Sequence, residues 1–417
     1  IDFSSISAFL TGFSTYPQPL RLRLRIFTIF FLYKQTHQTV RKGELSTIMK
    51  LVFDKADLVK SVGIAMKAVS GKTTMPILEC ILIDASSNVI KFTSNDMELG
   101  IETIVTGMIL ERGIVALDAK IFSEIVRKLP DNQVTIETDE NLVTTITCEK
   151  AKFNIPGQSG EDFSYLPILE TFDCVSISQF TLKELIRQTI FSIAANENNK
   201  LMTGELFEIK DNTLRVVSLD GHRIAIRRIE LKDSYPDRKV VVPGKTLNEI
   251  SKILSGEMDD QIDIYFSENH IMFKFDDTTV VSRLIDGEYF RIDQMLSSDY
   301  ETKVTINKKE FLSCIDRATL LVKEGDKKPI IIDIQDGAME LQINSAMGSM
   351  KEEIDINKEG KDIMIGFNPK FLIDALRVID DEEISIYLVN PKAPCFIRNE
   401  EESYIYLILP VNFNSVR

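Results

Sequence analysis

The chain has 417 residues, of which 44% are hydrophobic and 27% charged, and its net charge is −14. That length exceeds what one hydrophobic core holds and the composition excludes a disordered chain, so two or three folded domains are expected. The five cysteines (Cys80, Cys148, Cys174, Cys314, Cys395) form no CxxC pair and the three histidines (His37, His222, His270) are dispersed, so no metal or cofactor is expected, and a reducing cytoplasm fits.

Residues 1–48 differ in character from the rest of the chain: six basic residues (Arg21, Arg23, Arg25, Lys34, Arg41, Lys42) stand against Asp2 and Glu44. Their apolar run, Ile26 to Tyr33, is far shorter than the roughly 20 residues that span a bilayer, so no membrane anchor is expected. Lys42-Gly43-Glu44 is what a purine-rich ribosome-binding sequence would encode just ahead of Met49. The segment is expected to be upstream leader, with the folded protein starting at Met49.

From Met49 on, the sequence repeats itself three times. Phe53 to Lys60, Phe180 to Arg187 and Ile306 to Ser313 are similar, with Leu58, Leu185 and Phe311 in register. Leu117 to Leu129, Val242 to Leu254 and Phe367 to Ile379 form a second family, in which Lys120, Lys245 and Lys370 recur at an interval of 125 residues. Apolar residues at helical spacing, such as Leu58, Val62, Met66 and Val69, predict six amphipathic helices. Between them, Val134 to Glu137, Leu142 to Thr147, Ile262 to Phe266, Ile271 to Phe275, Ile384 to Leu388 and Tyr404 to Leu409 alternate or are β-branched and predict strands. The expected architecture is α+β, three repeated domains at 49–172, 173–298 and 299–417, each with two helices on antiparallel sheets.

Each of the six helical segments is net basic although the chain as a whole is acidic. A shared basic surface for phosphate is expected, and with no base-reading or stacking motif beside it, the contact should be indifferent to sequence. Two catalytic readings fail. Ser70-Gly71-Lys72-Thr73-Thr74 resembles the end of a phosphate-binding loop, but the required first glycine is Met66 and the segment follows a helix instead of a strand. His222 with Asp220 lacks a nucleophile or an oxyanion feature, which leaves a tight turn through Gly221.

Met49-Lys-Leu-Val-Phe53, Lys72-Thr-Thr-Met-Pro-Ile-Leu78, Phe163-Ser-Tyr-Leu-Pro167, Gly204-Glu-Leu-Phe207, Asp220-Gly-His-Arg-Ile-Ala225, Leu284-Ile-Asp-Gly287, Gly366-Phe-Asn368 and Tyr406-Leu-Ile-Leu-Pro410 together resemble the bacterial DNA polymerase III beta subunits, the beta sliding clamp family. That resemblance implies a non-enzymatic processivity factor: a head-to-tail homodimer ring around duplex DNA, lined by twelve helices. Lys72 would face DNA, and the basic helices add Lys120, Lys183, Arg187, Lys245, Lys308 and Lys370 as DNA-facing candidates. The implied partners are the DNA polymerase III alpha subunit, the clamp loader and other proteins carrying a clamp-binding linear motif.

Carried over from the family, the partner-peptide pocket comprises Met202, Leu219, Gly221, His222, Arg223, Ile224, Phe290, Met295, Asn368, Phe371, Leu407, Leu409, Pro410 and Val411. Adaptable Met and aliphatic side chains suit varied apolar anchors while a few polar groups set orientation. The dimer contact would set Lys150, Lys152, Phe153 and Ile155 of one subunit against Leu320, Leu321, Glu352 and Glu353 of the other. Two departures bear on pocket shape: Phe290 stands where many members carry Pro, and the chain closes on Val411-Asn-Phe-Asn-Ser-Val-Arg417 in place of a short Arg-hydrophobic tail.

Overall fold

The computed structural model describes residues 48–71, 73–169, 174–195, 198–322 and 328–413. Residues 1–47, which hold nearly all of the expected leader, lie outside the described residues, as does Lys72. Six α-helices occur among the described residues: α1 (Lys55–Ala65), α2 (Ala119–Lys128), α3 (Gln179–Thr189), α4 (Gly244–Ser251), α5 (Lys308–Thr319) and α6 (Pro369–Val378). They fall on the six repeated segments.

Local chemistry sets where these helices start. Asp118, Ser178, Asn307 and Asn368 precede α2, α3, α5 and α6, and their side chains accept the backbone N–H of Ile121, Thr181, Glu310 and Lys370 at 2.7, 3.0, 3.1 and 3.0 Å. Each satisfies one of the donors that a helix start leaves orphaned, worth about 1 kcal/mol.

By its contacts the chain forms two compact units. The first holds the described residues of 1–63, 71–93 and 104–163. Its strands are all antiparallel: Met49–Asp54 pairs with Met108–Glu111 and Gln133–Thr138, which continues through Val143–Cys148 and Ala151–Ser159 to Ile114–Asp118 and Cys80–Asp84. Phe53, Phe92 and Phe122 meet edge to face at centroid distances of 6.0 and 6.2 Å, an arrangement that adds to their area burial.

The second unit holds the described residues of 64–70, 94–103 and 164–417. One of its sheets runs Cys174–Ser178, Gln261–Phe266, His270–Phe275 and Thr278–Arg283, the last pairing with Leu99 to Thr103. A seven-stranded sheet is built on a long hairpin, Gly204–Leu219 with Arg223–Pro243, continued by Tyr404–Ile408, Cys395–Arg398, Glu383–Leu388, Thr302–Asn307 and Asn357–Gly360. A four-stranded sheet runs Gly348–Asp355, Ala338–Ser345, Ile330–Gln335 and Ile363–Phe367. Helix α3 packs on α4, and α5 on α6, with Phe311, Cys314, Ile315, Leu372 and Leu376 fully buried between helices and sheets. Burying each Ile, Leu or Phe contributes about 1.5–3 kcal/mol.

The register of the seven-stranded sheet positions the site. Arg223 faces Ile408 and Ile224 faces Leu407, so the hairpin turn at 220–222 lies directly beside residues 409–411.

Candidate functional site

Asp220 builds the turn. Its Oδ1 accepts the backbone N–H of His222 (3.0 Å) and of Arg223 (3.1 Å), an Asx arrangement, and Gly221 takes φ +85°, where a side chain would be strained. His222 is thereby held at the surface, its ring stacked on Phe371 of α6 with centroids 5.9 Å apart and planes at 22°. Arg223, the next residue, is only 7% exposed. Its Nε donates to Asp220 Oδ2 (3.0 Å), Nη1 to Asp374 Oδ2 (2.7 Å) and Nη2 to the Phe191 carbonyl (2.6 Å). The guanidinium carbon lies 4.5 Å from the Phe371 centroid and 5.4 Å from that of Phe191. A nearly buried cation is thus paired, hydrogen-bonded and stacked.

Below the turn lies an apolar floor. Leu219, Ile224 and Leu407 are buried in one cluster with Leu206 and Tyr289, and Met202 and Phe290 pack against it. Leu409, 37% exposed, donates its N–H to the His222 carbonyl (2.9 Å), and Val411 donates to the Gly366 carbonyl (2.8 Å). Gly366 has to be small there: a Cβ would come within 2.7 Å of the Phe413 ring. Pro410 and Val411 are half-buried. Asn368 spends its side chain capping α6, and Met295, 48% exposed, hangs its N–H on Ile292 of the same cluster (2.8 Å). The sequence-derived pocket residues therefore gather as a buried floor, an aromatic-cation stack and an exposed rim of His222, Leu409 and Met295. A separate cleft of about 480 Å³, lined in part by Arg215, Lys239, Asn269 and Arg291, meets this floor at Leu206, Tyr289, Phe290 and Ile292.

The basic helix residues divide into two kinds. Lys120 and Lys370 are exposed and their amino groups bond to nothing among the described residues; Lys245 is exposed and paired with Asp96. All three occupy the second position of the second helix of their repeat, in α2, α4 and α6. The others are engaged. Lys183 donates to the Leu254 carbonyl (3.2 Å) and Lys308 to the Ile379 carbonyl (2.6 Å), equivalent positions just past α4 and α6. Such contacts place a cation near the negative pole of the helix. Arg187 is bound by Glu184 and, across to the third repeat, by Asp380 (2.9 Å), and Glu184 above all holds its guanidinium pKa above the ordinary value.

Models for the N-terminal, central and C-terminal domains of the DNA polymerase III beta subunit match residues 49–167, 176–290 and 293–412. The beta sliding clamp of Staphylococcus epidermidis is 33% identical over 375 residues, covering 87% of this chain and 99% of that protein. The chain belongs to the beta sliding clamp family. It is a DNA sliding clamp, a processivity factor of replication and not the catalytic subunit. Among solved structures, a putative DNA polymerase III beta subunit from Eubacterium rectale is 72% identical with a TM-score of 0.86, over 88% of this chain and 100% of that one. The sliding clamp of Bacillus subtilis is 35% identical with a TM-score of 0.84 and the same coverage.

Two segments of this clamp named for subunit contact are sheet edges. Lys152, Phe153 and Ile155 lie in Ala151–Ser159, which among the described residues pairs along 151–156 with Val143–Cys148 alone and meets Ile114–Asp118 from Gly157 on. Phe153 is 40% exposed, Ile155 is 8%, and Lys150 sits in the turn before the strand. Glu352 and Glu353 lie in Gly348–Asp355, which among the described residues pairs only with Ala338–Ser345, and Glu352 is bound to Arg317 of α5 (2.9 Å). Leu320, just past α5, is 76% exposed, while Leu321 is half-buried.

Sequence reasoning missed Phe191 and Asp374, which hold Arg223. Asp374 had a signal: it stands three residues past Phe371, so both project from one face of α6. Phe191 contributes its backbone carbonyl, which no side-chain pattern announces.

Proposed function

We propose that this clamp acts as a head-to-tail homodimer closed into a ring around duplex DNA, in the cytoplasm, with three domains at 49–172, 173–298 and 299–417. The observation that carries the DNA reading is the lysine at the second position of α2, α4 and α6. A helix start is the positive pole of the backbone dipole, so a cation there costs local stability, typically 0.3–1 kcal/mol. The same cost recurs at Lys120, Lys245 and Lys370; Asp96 offsets it at Lys245, and phosphate would offset it at Lys120 and Lys370. Lys72, Lys183, Arg187 and Lys308 belong to the same DNA-facing set; Lys183, Arg187 and Lys308 also tie the helices that carry it. The contact is electrostatic and indifferent to sequence. A clamp loaded on nicked circular DNA is expected to stay bound through gel filtration at moderate salt and to be lost within minutes of linearisation. Equal retention on both forms would point to a protein-only scaffold or to ordinary DNA binding.

Two open strand edges, residues 151–156 and Gly348–Asp355, support closure by edge-to-edge pairing between subunits, with Phe153 and Ile155 meeting Leu320 and Leu321, and Lys150 and Lys152 facing Glu352 and Glu353. Leu320→Ala with Leu321→Ala should shift the protein towards monomer by at least tenfold in dissociation constant, since about 1.4 kcal/mol of lost apolar contact suffices. Sedimentation velocity at submicromolar concentration reads this, and an unchanged dimer refutes the assignment.

The groove around His222 receives linear peptide motifs from the DNA polymerase III alpha subunit, the clamp loader and other partners. Its support is the combination of a buried floor (Leu219, Ile224, Leu407) with an exposed rim (His222, Met295, Leu409), which gives anchoring pockets and adaptable walls together.

A further inference from the structure

The geometry points to Asp374 as a positioning residue for the peptide groove: we propose that it acts through Arg223, setting the guanidinium flat against Phe371 and fixing the wall on which His222 also stacks. This rests on the groove assignment above.

Three acceptors from three elements fix Arg223. Asp220 lies in the hairpin turn, the Phe191 carbonyl in the 3-10 turn Ile190–Ser192 that follows α3, and Asp374 on α6. Of the three acceptors only Asp374 comes from the third repeat, so it adds a side-chain tie to α6 beside the backbone pairing of Arg223 with Ile408 and of Leu409 with His222. Asp220 cannot replace it, because its Oδ1 already holds the turn through the N–H groups of His222 and Arg223. The carboxylates of Asp220 and Asp374 are 14% and 20% exposed, sheltered enough for geometry to matter. With Nε, Nη1 and Nη2 all donating, the guanidinium is committed to its neighbours, and its role is that of a flat, rigid wall beside Phe371. Without Asp374, Nη1 loses its partner and the side chain gains freedom to swing across the floor, a cost that falls on peptide binding.

The test measures binding of a fluorescein-labelled synthetic peptide carrying a bacterial polymerase clamp-binding motif to the intact protein by anisotropy. Asp374→Ala is expected to weaken it on the order of tenfold, and Asp374→Asn, which keeps an oxygen to accept from Nη1, by less than about threefold. In an Arg223→Leu background the Asp374→Ala effect should vanish, since the path runs through that guanidinium. Wild-type affinity for Asp374→Ala, or an equal loss in both backgrounds, overturns the proposal. Should Asp374→Ala fold poorly, the Asp374→Asn variant with and without Arg223→Leu decides: any loss it shows must disappear in the double variant, and a loss that persists overturns the proposal. The His222→Ala, Leu409→Ala double variant keeps the two claims apart. Unchanged binding there shows that the peptide sits elsewhere and removes the groove assignment, whereas its loss alongside wild-type binding by Asp374→Ala removes the positioning role alone.

Discussion

His222→Ala combined with Leu409→Ala is expected to weaken binding of a clamp-motif peptide about 100-fold while leaving the proposed dimer intact. Both side chains stand at the exposed rim, and their backbones are already joined by the Leu409 N–H to the His222 carbonyl at 2.9 Å. Alanine keeps that bond, the Asx turn on Asp220 and the pairing of Arg223 with Ile408, so the fold loses almost nothing. What disappears is the imidazole stacked on Phe371 and an aliphatic group above a buried floor. Rim anchors of this kind contribute about 1–2 kcal/mol each, and every 1.4 kcal/mol is a factor of ten in affinity. Neither residue touches the strand edges assigned to subunit contact, so sedimentation should be unaffected. Anisotropy titration of the labelled peptide is the measurement, and an affinity within threefold of wild type would sink the groove assignment.

The helices were legible in the sequence because their signals are local: an apolar stripe and a repeat that placed Lys120, Lys245 and Lys370 at one interval. The long hairpin was not predicted, since its second strand passes through Arg227, Arg228, Glu230, Lys232 and Asp233, a charged run that reads as loop. Its pairing with Gly204–Leu219 supplies the order that the composition conceals. The groove was legible only through family resemblance. Taken singly, Leu219, Ile224 and Leu407 read as core, and each is indeed buried. Lys183, Lys308 and Arg187 show the opposite gap. Counting their charge told nothing of the Leu254 and Ile379 carbonyls and the Asp380 carboxylate that they reach, which lie about 70 to 190 residues away in sequence.

Glu205→Gln should flatten the pH dependence of stability. Glu205 sits in the strand Gly204–Leu219 with no exposed surface, and neither carboxyl oxygen has a hydrogen-bond partner among the described residues. Burial holds its pKa well above the usual carboxylate range, and the hydroxyl of the nearby Thr189 is spent on the Leu185 carbonyl. The folded protein therefore keeps a proton that the unfolded chain gives up near the ordinary value of 4.5. Below that pH both states are neutral here and the wild type has its full stability. As pH rises, only the unfolded state ionises, and stability falls by about 1.4 kcal/mol per pH unit until the folded-state pKa is reached. Glutamine has the same shape and no proton to lose. Urea denaturation across a pH series from 4 upward should show wild type and variant differing by a constant offset up to about pH 4.5, with the variant gaining on the wild type above it until the folded-state pKa is passed. Parallel curves across the whole range would mean that Glu205 ionises freely in the folded state, which its burial without a partner makes too costly.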